Sequence, residues 1–263
     1  MKRDKLVEFI KKTVGKELLE KAAKVDTRAN GVQIHGKDEI KKVVLGVSAN
    51  LDFFKEAVKA GADFCIFHHG LSFVNNQLNQ RLNPAIQKRL KIIFDNNLTV
   101  AGYHYCLDAH PTIGNNAVII KKLGARRLNE PYFELEGAAW GWIAEFNKTQ
   151  DVKKLAEKCS EVFSHDVFAV YAGSKKVKRI GVCSGGAKPY KESLFEVIDK
   201  KIELHISGEI VEGSSSLAKE IGFNYFACGH YATEVFGVQE LGLKIKKAFP
   251  QLKVEFIDIP NPL

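Results

Sequence analysis

The chain has 263 residues, 45% of them hydrophobic and 27% charged, globular proportions that exclude a fibrous or disordered protein. A chain of this length can bury about three quarters of its unfolded surface, so it needs neither disulfides nor a structural metal merely to fold. The 39 Lys and Arg outnumber the 31 Asp and Glu and leave a net charge of +8, which favours anionic partners.

Residues 1–5 lead straight into an amphipathic pattern carrying Leu6, Phe9 and Ile10 on one side, and no signal peptide is visible. The spacing then predicts a strand over residues 43–47 and a helix over 51–59 with Gly61 as its C-cap. A second strand, 63–67, runs into His68-His69-Gly70. A helix over 84–94 is followed by a strand over 98–101 that leads to Tyr103-His104-Tyr105-Cys106-Leu107-Asp108. Asn115 or Asn116 can cap a helix that ends at Gly124. The middle reads as a strand over 140–146, a helix over 152–162 and a strand over 168–172, with a turn at Gly173-Ser174. The opening pattern then returns: a strand over 179–183, the turn Ser184-Gly185-Gly186, a helix over 191–198 and a strand over 203–206. A helix over 214–221 and a strand over 225–228 complete it, ending in Gly229-His230-Tyr231. Strands alternating with helices imply an α/β protein with at least partly parallel pairing.

The two halves resemble each other. Val44-Leu45-Gly46-Val47-Ser48 parallels Arg179 to Ser184, and Phe67-His68-His69-Gly70 parallels His205-Ile206-Ser207-Gly208. His104-Tyr105-x-x-Asp108 parallels His230-Tyr231-x-x-Glu234. Three matches in one order predict two related lobes facing each other, about 1–130 and 131–263.

His68-His69 at a strand end is the sharpest chemical signal. Adjacent side chains on a strand point to opposite faces, so a chelating pair needs the irregular backbone that Gly70 permits; one strand end then serves two ions. The competing reading is a surface pair beside a turn. His230 and Glu234, four apart, share one face of a first helical turn and suit a common ion, or Glu234 is simply solvated. Asp108 can bridge two cations or cap its turn. His110, before a proline, reads as structural, His205 as core, and His35 and His165 carry no signal. All the candidate ligands lie at C-terminal strand ends, where ligands gather in open α/β sheets. Their mixture of imidazole and carboxylate suits Zn, Mn, Fe or Co. Ser184-Gly185-Gly186 is either an anion nest or a plain tight turn. It has no P-loop sequence, and no nicotinamide fingerprint is present.

Nucleic acid is disfavoured as a partner: the densest basic cluster, Lys175, Lys176, Lys178 and Arg179, is short and reads as solvated surface. Five cysteines, odd in number and widely spaced, point to a reducing compartment and argue against a disulfide framework. No apolar stretch approaches the ~18 residues of a membrane span. A cytoplasmic protein is expected.

At these motifs the chain resembles the Nif-three-like dinuclear-metal-centre family, the type 2 homologues of GTP cyclohydrolase I. The matching stretches are Asn30-Gly31-Val32-Gln33, Gly61-Ala62-Asp63 through His68-His69-Gly70-Leu71, and Leu107-Asp108-Ala109-His110-Pro111 with Gly114-Asn115-Asn116-Ala117. Ser207-Gly208-Glu209-Ile210 and Ala227 to Glu234 complete them. The resemblance implies metal ligands at His68, His69, Asp108, His230 and Glu234, and two divalent transition ions (Zn, Fe or Mn) per chain. It also implies an α/β fold of two related lobes with mixed sheets flanked by helices, the metal site between them, and a ring-shaped homohexamer; the chain is too short for the inserted middle domain that some members carry. Where many members carry an Asp two residues before a Thr, this chain reads Val47-Ser48-Ala49-Asn50. The expected function is a metal-dependent hydrolase acting on a nucleotide or related anionic heterocycle, with His104 as candidate catalytic acid or base. The alternative is a non-enzymatic metal-binding, assembly or regulatory ring.

Overall fold

A computed structural model describes residues 1–72, 82–135, 137–190 and 192–262. Helices α1 (Arg3–Val14) and α2 (Lys16–Val25) precede β1 (Asn30–Ile34), β2 (Lys42–Gly46), α3 (Leu51–Lys59), β3 (Phe64–Phe67), α4 (Pro84–Asp95) and β4 (Thr99–Tyr103). Then come the short α5 (Tyr105–Ala109), α6 (Asn115–Leu123), β5 (Arg126–Leu135), β6 (Ala138–Asp151), α7 (Val152–Phe163) and β7 (Phe168–Val170). The chain continues through β8 (Lys176–Val182), α8 (Glu192–Asp199), β9 (Leu204–Ser207), α9 (Glu212–Ile221), β10 (Asn224–Ala227), α10 (His230–Ala248) and β11 (Lys253–Phe256). No helix among the described residues is long and apolar enough to cross a membrane.

Two compact units result: Met1–Leu107 with Gly237–Ile259, and Asp108–Phe236 with Pro260–Leu263. Their boundaries differ from the expected lobes of about 1–130 and 131–263. The first division falls at Asp108, and Gly237–Ile259 belongs to the first unit, where β11 pairs with β2.

The first unit holds a mixed sheet of order β1-β4-β3-β2-β11 among the described residues. Strands β4, β3, β2 and β11 run parallel, and β1 closes the edge antiparallel to β4. Strands β2, β3 and β4 read as nearly unbroken apolar runs because both faces are covered. Phe53 and Phe54 of α3 meet Phe67 of β3 edge to face, with ring centroids 4.5 and 5.4 Å apart, a geometry aromatic pairs prefer. Asn50 caps α3 by accepting from the Phe53 N–H at 2.8 Å. Asn83 caps α4 in the same way at 3.0 Å, with Pro84 in the first turn, where its missing N–H costs nothing.

The second unit holds a mixed sheet of order β5-β6-β8-β9-β10-β7. Here β8, β9 and β10 are parallel, while β7 closes that edge antiparallel to β10. Alternation along β9 sends Leu204 and Ile206 into one apolar layer with Leu155, Phe163 and Phe226. Between them His205 turns to the other face, beside Tyr132 and Tyr225, as the two-residue period of a strand requires. The repeat seen in the sequence is therefore a shared topology: β2-α3-β3-α4-β4 in one unit and β8-α8-β9-α9-β10 in the other, each edged by an antiparallel strand.

Several boundaries shift. The helix expected over 191–198 runs Glu192–Asp199, and Lys191 lies outside the described residues. Asn115 and Asn116 do not cap α6. Gly114 is the N-cap, and both asparagines are fully buried inside the first turn, where their amides serve other partners.

Candidate metal centre

In the first unit, β3 ends at Phe67, and the chain bends so that successive histidines no longer alternate. The ladder to the neighbouring strand's end continues through the bend: the His68 N–H donates to Gly46 O at 3.2 Å and the His69 N–H to Val47 O at 2.9 Å. Gly70 follows with φ +63°, and a Cβ there would lie 2.5 Å from Gln33 Oε1. Only glycine fits so close an approach in the left-handed region. The Gln33 amide then grips the next residue twice, donating to Leu71 O and accepting from the Leu71 N–H, both at 2.7 Å.

Three imidazoles gather there. His68 and His69 have ring centroids 5.0 Å apart, His68 and His104 are 4.9 Å apart, and His69 and His104 are 5.7 Å apart. Each of the three can offer one nitrogen within 4.8 Å of the others. The anchors set the tautomers of two rings. His68 Nδ1 lies 3.2 Å from Tyr103 O, an acceptor only, so Nδ1 carries the proton and the lone pair sits on Nε2. His104 Nδ1 is 2.9 Å from the Asp26 carboxylate and donates to it, with the same consequence. His69 Nδ1 pairs with Ser48 Oγ at 3.0 Å. A carboxylate or carbonyl behind an imidazole is the usual device for orienting a metal ligand.

Asp26 is the centre of that support. Its Oδ2 accepts from His104 Nδ1, from Asn30 Nδ2 at 2.7 Å and from the Tyr105 N–H at 3.0 Å, while Oδ1 takes the Arg28 N–H at 2.9 Å. Burial raises the Asp26 carboxyl, but His104 and the backbone donors outweigh it and bring its pKa down to about 2.

In the second unit, His230 opens α10, and Glu234 lies one turn on and 3% exposed. His230 Nε2 is 3.2 Å from Glu234 Oε1, and Nδ1 is 2.5 Å from Glu209 Oε1. Lys188 pairs with the other oxygen of Glu209. Burial works to lower the His230 pKa, yet Glu234 and Glu209 overcome it and raise it to about 9. A field that holds a proton so firmly also favours a divalent cation in the proton's place.

Asp108 is 5% exposed. Its Oδ1 accepts from Ser184 Oγ at 2.8 Å and from Asn115 Nδ2 at 3.0 Å. Asn116 fixes the same corner, donating to Asp108 O and Trp140 O and accepting from the Ser184 N–H. The Gly185 N–H goes to Thr233 Oγ1 at 2.9 Å. With the Ser184 and Gly185 donors committed inside the protein, these two do not form an anion nest.

Of the sequence candidates, His68 and His69 therefore meet His104 in the first unit, and His230 meets Glu234 in the second, where Asp108 also lies. Asp26, Ser48, Glu209 and Lys188 escaped the sequence reading. Glu209 stands in the quoted Ser207-Gly208-Glu209 stretch, and Ser48 stands where the chain departs from the pattern of the resembled family. His110 holds a turn, its Nδ1 accepting from the Thr112 and Ile113 N–H groups at 3.2 Å.

A family model described as Duf34/NIF3 (NGG1p interacting factor 3) matches residues 1–262. The chain belongs to this family. A Pyrococcus horikoshii protein named GTP cyclohydrolase 1 type 2 homolog is 34% identical over 264 residues, spanning 100% of both chains. An Archaeoglobus fulgidus protein of the same name is 34% identical over 238 residues, 90% of this chain and 92% of its own. The solved structure of protein ybgI, described as of unknown function, matches with a TM-score of 0.87 at 30% identity over all of both chains. The mixed α/β fold with two mixed sheets flanked by helices is thus a Duf34/NIF3 fold. The donor chemistry of this Duf34/NIF3 chain fits divalent transition ions. It offers oriented imidazoles in one unit and an imidazole beside buried carboxylates in the other, with no thiolate among these donors.

Proposed function

We propose that the protein is a dinuclear-metal hydrolase acting on a nucleotide or related anionic heterocycle. In this reading His68, His69, Asp108, His230 and Glu234 are the ligands of two divalent transition ions. The observation that carries it is the gathering of His68, His69 and His104, with the lone pairs of His68 and His104 directed to Nε2 by Tyr103 O and Asp26. Structural histidines have no need of three converging rings, two of them with fixed tautomers.

Bound ions would supply Lewis acidity and an activated water. The chain's own residues would do the rest. Asp26 and Glu209 orient imidazoles, Ser184 and Asn115 hold Asp108, and His104, with a carboxylate on Nδ1, is placed to move a proton at Nε2. The relatives' name, GTP cyclohydrolase 1 type 2 homolog, makes GTP the first substrate to test. A homohexamer in the cytoplasm is part of the same proposal. It is supported by the apolar surface around α8, where Phe195 is 64% and Tyr190 57% exposed, and by five buried thiols.

The test is turnover of protein with known metal content against GTP, other nucleotides and cyclic amidines. Ring opening or hydrolysis that depends on metal and is lost in His69→Ala supports the reading. A metal-replete protein inert across the screen removes the enzymatic part.

A further inference from the structure

Beside His69 the first unit opens into a cavity of about 780 Å³, lined by Thr27, Arg28, Gly31, Gln33, His69 and Ser72 among others. We propose that this cavity binds the phosphate-bearing end of a nucleotide-sized ligand, with the Arg28 guanidinium as its anchor. The inference deepens the proposed function by giving its ligand a place and a recognition group, and it rests on that reading for what lies beyond His69.

The volume falls within the ~300–1,000 Å³ typical of small-molecule sites. Arg28 brings positive charge to it. Arg3 pairs with Asp4 and Asp38, Lys37 with Asp63, and Lys42 with Glu255. The Arg28 guanidinium enters no ion pair among the described residues, while its backbone N–H is pinned to Asp26. It is thus a cation on a fixed piece of backbone, available to an anion. Guanidinium matches phosphate through two parallel N–H donors, and the hydroxyls of Thr27 and Ser72 line the same space.

The nearest buried carboxylate does not oppose an anion strongly, because Asp26 has its charge met by four donors. The opposite wall is prearranged, since the Gln33 amide is tied to both backbone groups of Leu71. A ligand entering here orders little that is not already ordered, which lowers the entropic cost of binding. The Asn30-Gly31-Val32-Gln33 stretch thereby acquires a role. Asn30 and Gln33 fix the frame, and Gly31 leaves the cavity open, since a Cβ there would meet nothing within 4 Å.

The test is isothermal titration of the full chain, as purified, with GTP and with guanosine, metal content being measured on every sample. Arg28→Ala should weaken GTP binding by about tenfold or more, the worth of one charge-assisted contact, while guanosine affinity and metal content stay as in the unmutated chain. Gly31→Leu should fill part of the cavity and weaken GTP as well, whereas Lys178→Ala, in the second unit, should not. GTP affinity unchanged by Arg28→Ala and Gly31→Leu, or no GTP binding at about 1 mM, a generous limit for a substrate, overturns the proposal. An Arg28-dependent loss in protein that holds no metal would sink the dinuclear reading and leave the anion site standing.

Discussion

His230 donates its Nδ1 hydrogen to Glu209 across 2.5 Å. In the other unit His104, at the equivalent point of the repeat, donates to Asp26 across 2.9 Å. Each histidine follows the third parallel strand of its sheet, and each has a carboxylate behind it. Partners of this kind typically contribute ~10–100-fold to metal affinity or activity. Glu209→Gln and Asp26→Asn keep the shape and remove the charge. Both should release metal faster in competition with a chelator by a factor in that range, with the fold retained by circular dichroism. Retention equal to the unmutated protein in both variants would mean that the carboxylates serve stability alone.

Metal stoichiometry is the most direct expectation. Five N/O ligands exceed what one four-coordinate ion with an open position uses, so elemental analysis after reconstitution with Zn, Mn or Fe should approach two ions per chain. His69→Ala should lose far more metal than His165→Ala, because His165 is half-buried and bonded to the Asp166 and Pro262 carbonyls. Equal losses would dismiss the histidine pair as ligands.

The parallel core was legible because buried parallel strands are short apolar runs and the helices between them carry spaced apolar residues. Residues 51–59 were read as a helix from Leu51, Phe54, Ala57 and Val58, and α3 has those bounds. What escaped lacked that signature. Helix α2 is rich in charge, with Ala22 its one buried residue. Strands β1 and β11 lie at sheet edges and are half-buried or exposed, and β5 mixes Arg, Asn and Glu with its apolar residues. Among the candidate site residues, His68, His69, Asp108, His230 and Glu234 sit in motifs that can be seen locally. Asp26 reaches His104 across 78 positions and Ser48 reaches His69 across 21, and no local pattern encodes such pairs.

His205 makes the stability of the second unit depend on pH. Burial lowers its pKa from 6.5 to about 4, against the opposing hydrogen bond to Ala187 O. The ring is neutral in the fold, taking the Tyr132 hydroxyl at 2.7 Å on Nδ1 and donating from Nε2 at 2.8 Å. The unfolded chain binds the proton first as pH falls. The stabilisation is therefore complete above about pH 6.5 and is lost progressively down to about pH 4, a total of about 3 kcal/mol. Urea unfolding at about pH 7 and about pH 4.5 should show the unmutated protein losing about 2–3 kcal/mol more than His205→Gln between the two conditions. Parallel losses in the two proteins would show that His205 does not titrate in this way.

Gly185 gives a steric test of Glu234 as a proposed metal ligand. Its φ is +64°, and a Cβ would stand 2.2 Å from Glu234 Oε1 and 3.3 Å from His230 Nε2. Gly185→Ala thus meets two penalties. A left-handed backbone costs a residue with a Cβ about 1–2 kcal/mol, and Glu234 must move from the position in which it faces His230. Glu234 is nearly fully buried on α10, so the shift has little room to be absorbed. The variant should unfold at lower urea and hold less metal even at temperatures where it is folded. Gly213→Ala is the control, because a Cβ there meets nothing within 4 Å and alanine is the better helix former; its metal content should match the unmutated protein. If Gly185→Ala loses stability but keeps full metal occupancy, Glu234 can shift without consequence and is not a ligand.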